Sequence, residues 1–258
     1  MEITKMMEYD VKLSNEELVV CDRLRKMKLS SMADALTTTF KDPLTPNRSF
    51  FELISDLVNS EWDARRSKRF RKLLAKSGIK YQDAAFDDKL YLPERNINQE
   101  TVTMLTSCDW IMLGKKLIIT GMTGTGKSYM ASAFGICALH KDYRVRYENT
   151  NELLKKLDRA NTNSAEFLDY TNELMSYDLL IIDDFGLMDL DLVKCQLFFS
   201  MLEARENKKA TLIASQIPVK DWYGIFGDST YADACMDRIA KGSYRLLLDG
   251  PSLRPDHF

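Results

Sequence analysis

The residues with the clearest chemical potential form one run, Gly121-Met122-Thr123-Gly124-Thr125-Gly126-Lys127-Ser128. Glycines at these spacings let a backbone turn tightly and bring successive N–H groups to bear on an anion. A helix starting near Lys127 would add its positive end to the same anion. Between a strand and a helix, G-x-x-x-x-G-K-S is the pattern that cradles the phosphates of a nucleoside triphosphate. The expected cradle runs from Gly121 to Tyr129, with Lys127 reaching the β- and γ-phosphates and the Ser128 hydroxyl ligating Mg²⁺. ATP and Mg²⁺ are the implied cofactors. The competing reading is a glycine-rich turn that only joins two elements.

Two further strand ends belong to the same chemistry. Leu179-Leu180-Ile181-Ile182 reads as a buried strand ending in Asp183 and Asp184, and ligands gather at the carboxyl ends of strands in open α/β sheets. Asp183 suits the metal shell, and Asp184 is placed to polarise an attacking water. The alternative is that both carboxylates cap a turn before Phe185-Gly186. Thr211–Ala214 is another apolar strand, followed by Ser215 and Gln216; either side chain could sense the terminal phosphate, and both could be ordinary strand-end polar groups.

A third feature is basic. Residues 64–80 carry Arg65, Lys68, Arg69 and Lys72 near one face of a predicted helix, broadened by Arg66 and Lys76, with Phe70, Leu73 and Leu74 free to pack inward. Such a strip suits a nucleic-acid phosphate backbone and has no base-reading signature, so binding would be largely sequence-independent. The bland reading is a solvated face whose long stems cover apolar surface. Arg146, Lys155 and Lys156 are secondary candidates.

The elements that must position these residues change character along the chain. Residues 1–80 read as helical, with Leu24, Met27, Leu29, Met32 and Leu36 recurring at helical spacing. After Pro43 and Pro46, with Asn47 and Ser49 as capping candidates, a long helix presents Phe50, Phe51, Leu53, Ile54, Leu57 and Val58 as an apolar face that continues to Trp62 and stops at Gly78. Residues 81–100 read as a linker that wraps onto the next domain. From 101 onward strands and helices alternate: strands at 116–120, 144–148, 179–182 and 211–214, and helices at 128–140, 151–159 with Thr150 as cap, 166–175 and 192–206. That alternation predicts an α/β fold, a parallel sheet with helices on both faces, preceded by a small all-α domain.

Composition narrows the classes. A net charge of −2 over 258 residues makes the basic strip a local feature of a mildly acidic chain. Five scattered cysteines without a C-x-x-C pair read as reduced thiols and not as a zinc site. His140 and His257 are the only histidines, which leaves no Ser-His-Asp set. No run approaches the ~18 apolar residues of a membrane span, and the acidic start lacks the apolar core of a signal peptide; a cytoplasmic protein is expected.

Beyond these local readings, the phosphate loop together with LLIIDDFG, TLIASQIP and DACMDRIAKGSYRLLLDGPSLR resembles the IstB/DnaC group of AAA+ P-loop ATPases. LRKMKLSSMADAL and FFELISDLVNSEWDARRSKRFRKLLAKSGI resemble the helical N-terminal region of its IstB branch. The resemblance implies a helical domain at 1–80, a linker at 81–100 and an AAA+ ATPase domain at 101–258. It implies an ATPase that assembles on duplex DNA and assists a transposase. It also implies that Arg238, in Asp237-Arg238-Ile239, reaches as an arginine finger into a neighbouring subunit's site, with Arg245 and Arg254 as weaker phosphate sensors. From the residues alone, Arg238 could equally be a surface ion-pair partner. Two departures stand out. Asp184 occupies a position where the family often has Glu, which implies slow turnover, and Gln216 stands where Asn is frequent. Other readings are a helicase loader acting on a replicative helicase and single-stranded DNA, and a small-molecule kinase on the same phosphate loop.

Overall fold

A capping box opens the first described helix, α1 (Asn15–Lys26): the Ser14 hydroxyl accepts the Glu17 N–H while the Glu17 carboxylate accepts the Ser14 N–H. The computed structural model describes residues 12–86, 91, 97–159, 165–188 and 190–253. The chain forms two compact units, Met1–Arg69 and Phe70–Phe258. The residues recurring at helical spacing from Leu24 to Leu36 fall on two helices, because Lys28 takes a left-handed conformation (φ 62°) and α2 (Ser30–Lys41) starts afresh.

The long helix α3 (Phe50–Ser77) has a second capping box, Ser49 with Glu52, and stops at Gly78, whose φ of 71° suits a helix end. Its apolar residues do not share one buried stripe. Leu57 and Glu61, one turn apart, point inward, whereas Phe50 and Phe51 are each 79% exposed and Ile54, Val58 and Trp62 are exposed with them. The unit boundary falls inside this helix and not at residue 80. The reason is packing: Phe70, Leu73 and Leu74 lie against the core of the second unit, and Ile79 is buried in it. Where the expected 81–100 linker is described, Ala84 is buried and Phe86, Tyr91 and Ile97 pack on that same core; the rest of it lies outside the described residues.

The second unit continues with α4 (Gln99–Thr106), α5 (Asp109–Met112), β1 (Lys116–Gly121), α6 (Lys127–His140), β2 (Val145–Asn149), α7 (Thr150–Arg159), α8 (Ala165–Ser176), β3 (Leu179–Phe185), α9 (Leu192–Arg205), β4 (Ala210–Ser215), α10 (Ser229–Ala240) and β5 (Tyr244–Leu248). All strand pairs are parallel, in the order β2-β3-β4-β1-β5. Side chains alternate across a strand, so Leu117 and Ile119 join one apolar layer with α6 while Ile118, Leu180 and Ile182 join the opposite layer with α7, α9 and α10. Burial on both faces explains why the central strands read as continuous apolar runs. Because β4 lies between β1 and β3, the carboxyl tips of these three strands stand side by side. The sequence reading had neither α10 nor β5. At the sheet edge β5 alternates exposed Arg245 and Leu247 with buried Leu246 and Leu248, too short an alternation to stand out.

Candidate nucleotide-binding site

The loop from β1 to α6 is built as its composition requires. A Cβ at Gly121 would sit 2.3 Å from the Leu248 carbonyl oxygen, so no side chain fits where the loop leaves the sheet. Gly126 enters α6 from the left-handed region at φ 93°. Thr125 is buried, and its hydroxyl donates to the Met122 carbonyl at 2.8 Å. Lys127 Nζ donates to the same carbonyl at 2.7 Å, so the lysine folds back over its own loop. The segment after β5 crosses the loop: the Leu253 N–H donates to the Gly124 carbonyl at 2.9 Å. Tyr129 faces elsewhere, its hydroxyl accepting the Ala85 N–H at 3.3 Å.

Asp183 is buried, at 2% exposure. Its Oδ2 accepts the Tyr147 hydroxyl, and Lys80 Nζ lies 3.9 Å from the same oxygen. Its carbonyl accepts the Thr150 hydroxyl at 2.8 Å. Thr150 is therefore not the cap of α7 but its first residue; Asn149 Oδ1 accepts the Asn151 N–H at 3.0 Å. The Ser128 side chain lies close enough to the Tyr147 phenol to pull its pKa downward. Burial, then the charge and hydrogen bond of Asp183, push that phenol far above its usual range.

Asp184 departs from ideal strand geometry. Its φ is 57°, the β3–β4 register shifts between Ile182 and Phe185, and its Oδ2 accepts the Asn149 amide at 2.9 Å. A left-handed aspartate is tolerated better than most residues, at a cost of about 1 kcal/mol or more.

The two candidates at the β4 tip separate. Ser215 is fully buried, donating to the Phe185 carbonyl at 2.7 Å and accepting the Ile217 N–H at 3.0 Å. Gln216 reaches the phosphate loop, where its Oε1 accepts the Thr123 hydroxyl at 2.7 Å.

Arg238 lies on α10 against α9. Its guanidinium meets Glu203 at 3.1 Å and Glu206 at 3.5 Å and stacks 4.3 Å from the Phe199 ring centre. Arg245 donates weakly to the Ala240 carbonyl at 3.4 Å, and Arg254 lies outside the described residues. On α3, Arg65, Arg66, Lys68, Arg69, Lys72 and Lys76 are all exposed. Arg65 is committed within its own unit, to Glu61 at 2.7 Å and the Lys28 carbonyl at 2.8 Å. Arg146 and Lys156 both pair with buried Glu148, and Lys155 pairs with Glu152.

The sequence reading had Thr150 only as a helix cap and missed Tyr147, Asn149 and Lys80. β2 reads VRYEN, with charged residues inside it, and Lys80 lies beyond the end of α3, so no local pattern marked them; that β2 pairs with β3, setting Asn149 opposite Asp183, is a non-local fact.

A phosphate loop opening a helix, a buried carboxylate and polar side chains on neighbouring strand tips, and a parallel sheet covered on both faces define an ATP-binding protein of the AAA+ P-loop class. Comparison with known proteins makes this specific: the chain belongs to the IstB-like ATP binding protein family, whose profile matches residues 22–257. It is 32% identical over 233 residues to a Sinorhizobium fredii protein described as an insertion-sequence ATP-binding protein, covering 90% of this chain and 94% of that one. A Bacillus thuringiensis relative, likewise described for an insertion sequence, is 26% identical over 250 residues, covering 95% of this chain and 98% of its own length. Among solved structures the fold is similar to the DnaC helicase loader, with a TM-score of 0.53 and 18% identity over 66% of this chain and 99% of that one. Among the described residues no helix is long and apolar enough to cross a membrane.

Proposed function

We propose that this protein is a Mg²⁺-dependent ATPase of the cytoplasm that oligomerises on duplex DNA and assists the transposase of its insertion sequence. The observation that carries the reading is the phosphate loop beside buried Asp183, in a chain whose relatives are named for insertion sequences. The described residues suit the metal: Ser128 and Asp183 are hard oxygen donors bordering one phenol oxygen, and Mg²⁺ favours such donors. Bound there, Mg²⁺ would supply charge neutralisation on the triphosphate.

Lys127 exchanges the Met122 carbonyl for phosphate oxygens. Gln216, already at the loop, is the sensor, and Ser215 fastens β4 to β3. Asp184 takes the proton of the water that attacks the γ-phosphorus as the bond to the β–γ bridging oxygen breaks. Its tie to Asn149 and its short side chain favour slow turnover. Arg238 acts in trans after leaving Glu203 and Glu206, and Arg66, Lys68, Arg69, Lys72 and Lys76 contact DNA phosphates. Arg65 contributes less, because Glu61 already holds it.

Size measurement with and without ATP, Mg²⁺ and duplex DNA tests the reading. Lys127→Ala is expected to abolish ATP binding and ATP-dependent assembly. Arg238→Ala is expected to bind ATP as the wild type does and to lose hydrolysis or assembly; wild-type behaviour in both assays removes the trans role. Neutralising the five basic residues is expected to weaken duplex binding and flatten its salt dependence. Preference for single strands and tight binding to a helicase hexamer would instead favour a loader.

A further inference from the structure

The Tyr147 hydroxyl has no packing reason to exist. The ring is 7% exposed within the apolar layer beneath α6, where phenylalanine would fill the same volume. A buried hydroxyl must be hydrogen-bonded, and this one is spent on the Asp183 carboxylate with the Ser128 hydroxyl beside it. The sheet register sets this up: Tyr147 lies opposite Ile181, so Asp183, two residues further on, projects to the same face.

We propose that Tyr147 is a positioning residue for the cation shell, its hydroxyl fixing which oxygens Ser128 and Asp183 present. This rests on the nucleotide-site reading above. Donating to Oδ2 takes up one carboxylate oxygen and leaves Oδ1 to face the cation or its water. A serine oxygen that ligates a cation must turn its proton away, and the phenol oxygen is the acceptor beside it. Groups that orient ligands without touching the metal commonly set affinity by about 10-fold or more.

The test compares wild type with Tyr147→Phe, which keeps the ring. ATP binding is measured by calorimetry in EDTA and across a Mg²⁺ titration. The Mg²⁺ concentration at half effect should rise about 10-fold, while ATP affinity in EDTA stays within about twofold. Tyr147→Phe added to Ser128→Ala should shift that midpoint by much less than it does in wild type, because part of its effect runs through Ser128. An unchanged Mg²⁺ midpoint, or equal losses with and without Mg²⁺, overturns the positioning role. Wild-type protein that takes up no ATP in either condition overturns the nucleotide-site reading itself, a result that neither variant can mimic.

Discussion

In the second unit each central strand sends alternate residues into one of two apolar layers, and the polar groups at the strand tips are hydrogen-bonded to one another. In the first unit the described residues that become buried are Cys21, Ala33, Leu57 and Glu61, and much of the joining is polar: Glu61 accepts the Met32 N–H at 3.1 Å and the Arg65 guanidinium at 2.7 Å. A site that holds a triphosphate needs its groups fixed by a rigid shell, and the covered sheet provides one. A helical unit with so small a core leaves its surface available and should open at lower cost. Differences in response to substitution and pH would follow.

The largest effect is expected at Arg205, whose side chain is buried at 1% exposure. It donates to the carbonyls of Leu174, Tyr177 and Ala210 and to the Thr211 hydroxyl, tying α8, α9 and β4 together. Burial pulls its guanidinium down to about 10, so it stays charged at neutral pH. Arg205→Met keeps much of the volume and strips three carbonyls, two of them in buried contacts, of a donor. At about 1–3 kcal/mol for each unsatisfied group, the second unit should lose roughly 3–5 kcal/mol or more in urea unfolding. A loss under about 1 kcal/mol would mean that water replaces the guanidinium and that the second unit is less rigid than its packing implies.

Arg205 also marks the limit of what the sequence discloses. The phosphate loop and the β3 run were legible because each is a local pattern: glycines at fixed spacing, four apolar residues before two aspartates. The gathering of Tyr147, Asn149 and Thr150 around Asp183 was not, since it depends on β2 lying beside β3. Ser215 and Gln216 looked equivalent as adjacent polar residues; strand alternation buries one and turns the other to Thr123. The α3 apolar run was legible as a helix but not as two faces, because spacing alone does not say which stripe finds a partner. Lys28 carries no local signal for the left-handed turn it adopts.

A smaller effect, confined to the first unit, is expected from pH. The Arg65 guanidinium, and with it the Met32 N–H, holds the Glu61 carboxyl below the usual carboxylate range. A carboxyl lowered in the folded state supplies stability that is complete above its unfolded pKa of about 4.3 and is lost as pH falls through the folded value. Protection of the α2 amides against exchange, at Met32 in particular, should therefore fall below about pH 4. Glu61→Gln should remove that acid dependence while leaving exchange in β1 and β3 unchanged. An acid response that persists in Glu61→Gln would place the sensitivity on another carboxylate.

The smallest effect is expected at the most apolar surface of α3. Trp62 is 66% exposed and Phe51 79% exposed, so each already sits largely in water and little transfer free energy is lost when either is replaced. Trp62→Gln or Phe51→Gln should change unfolding free energy by about 0.5 kcal/mol or less, the usual range for surface positions. Glutamine retains good helix propensity, so the measurement reports burial and not a weakened helix. A loss above about 1.5 kcal/mol from either substitution would show that this stripe is covered in solution, and the contrast between a well-packed unit and a sparsely packed one would then describe the isolated chain alone.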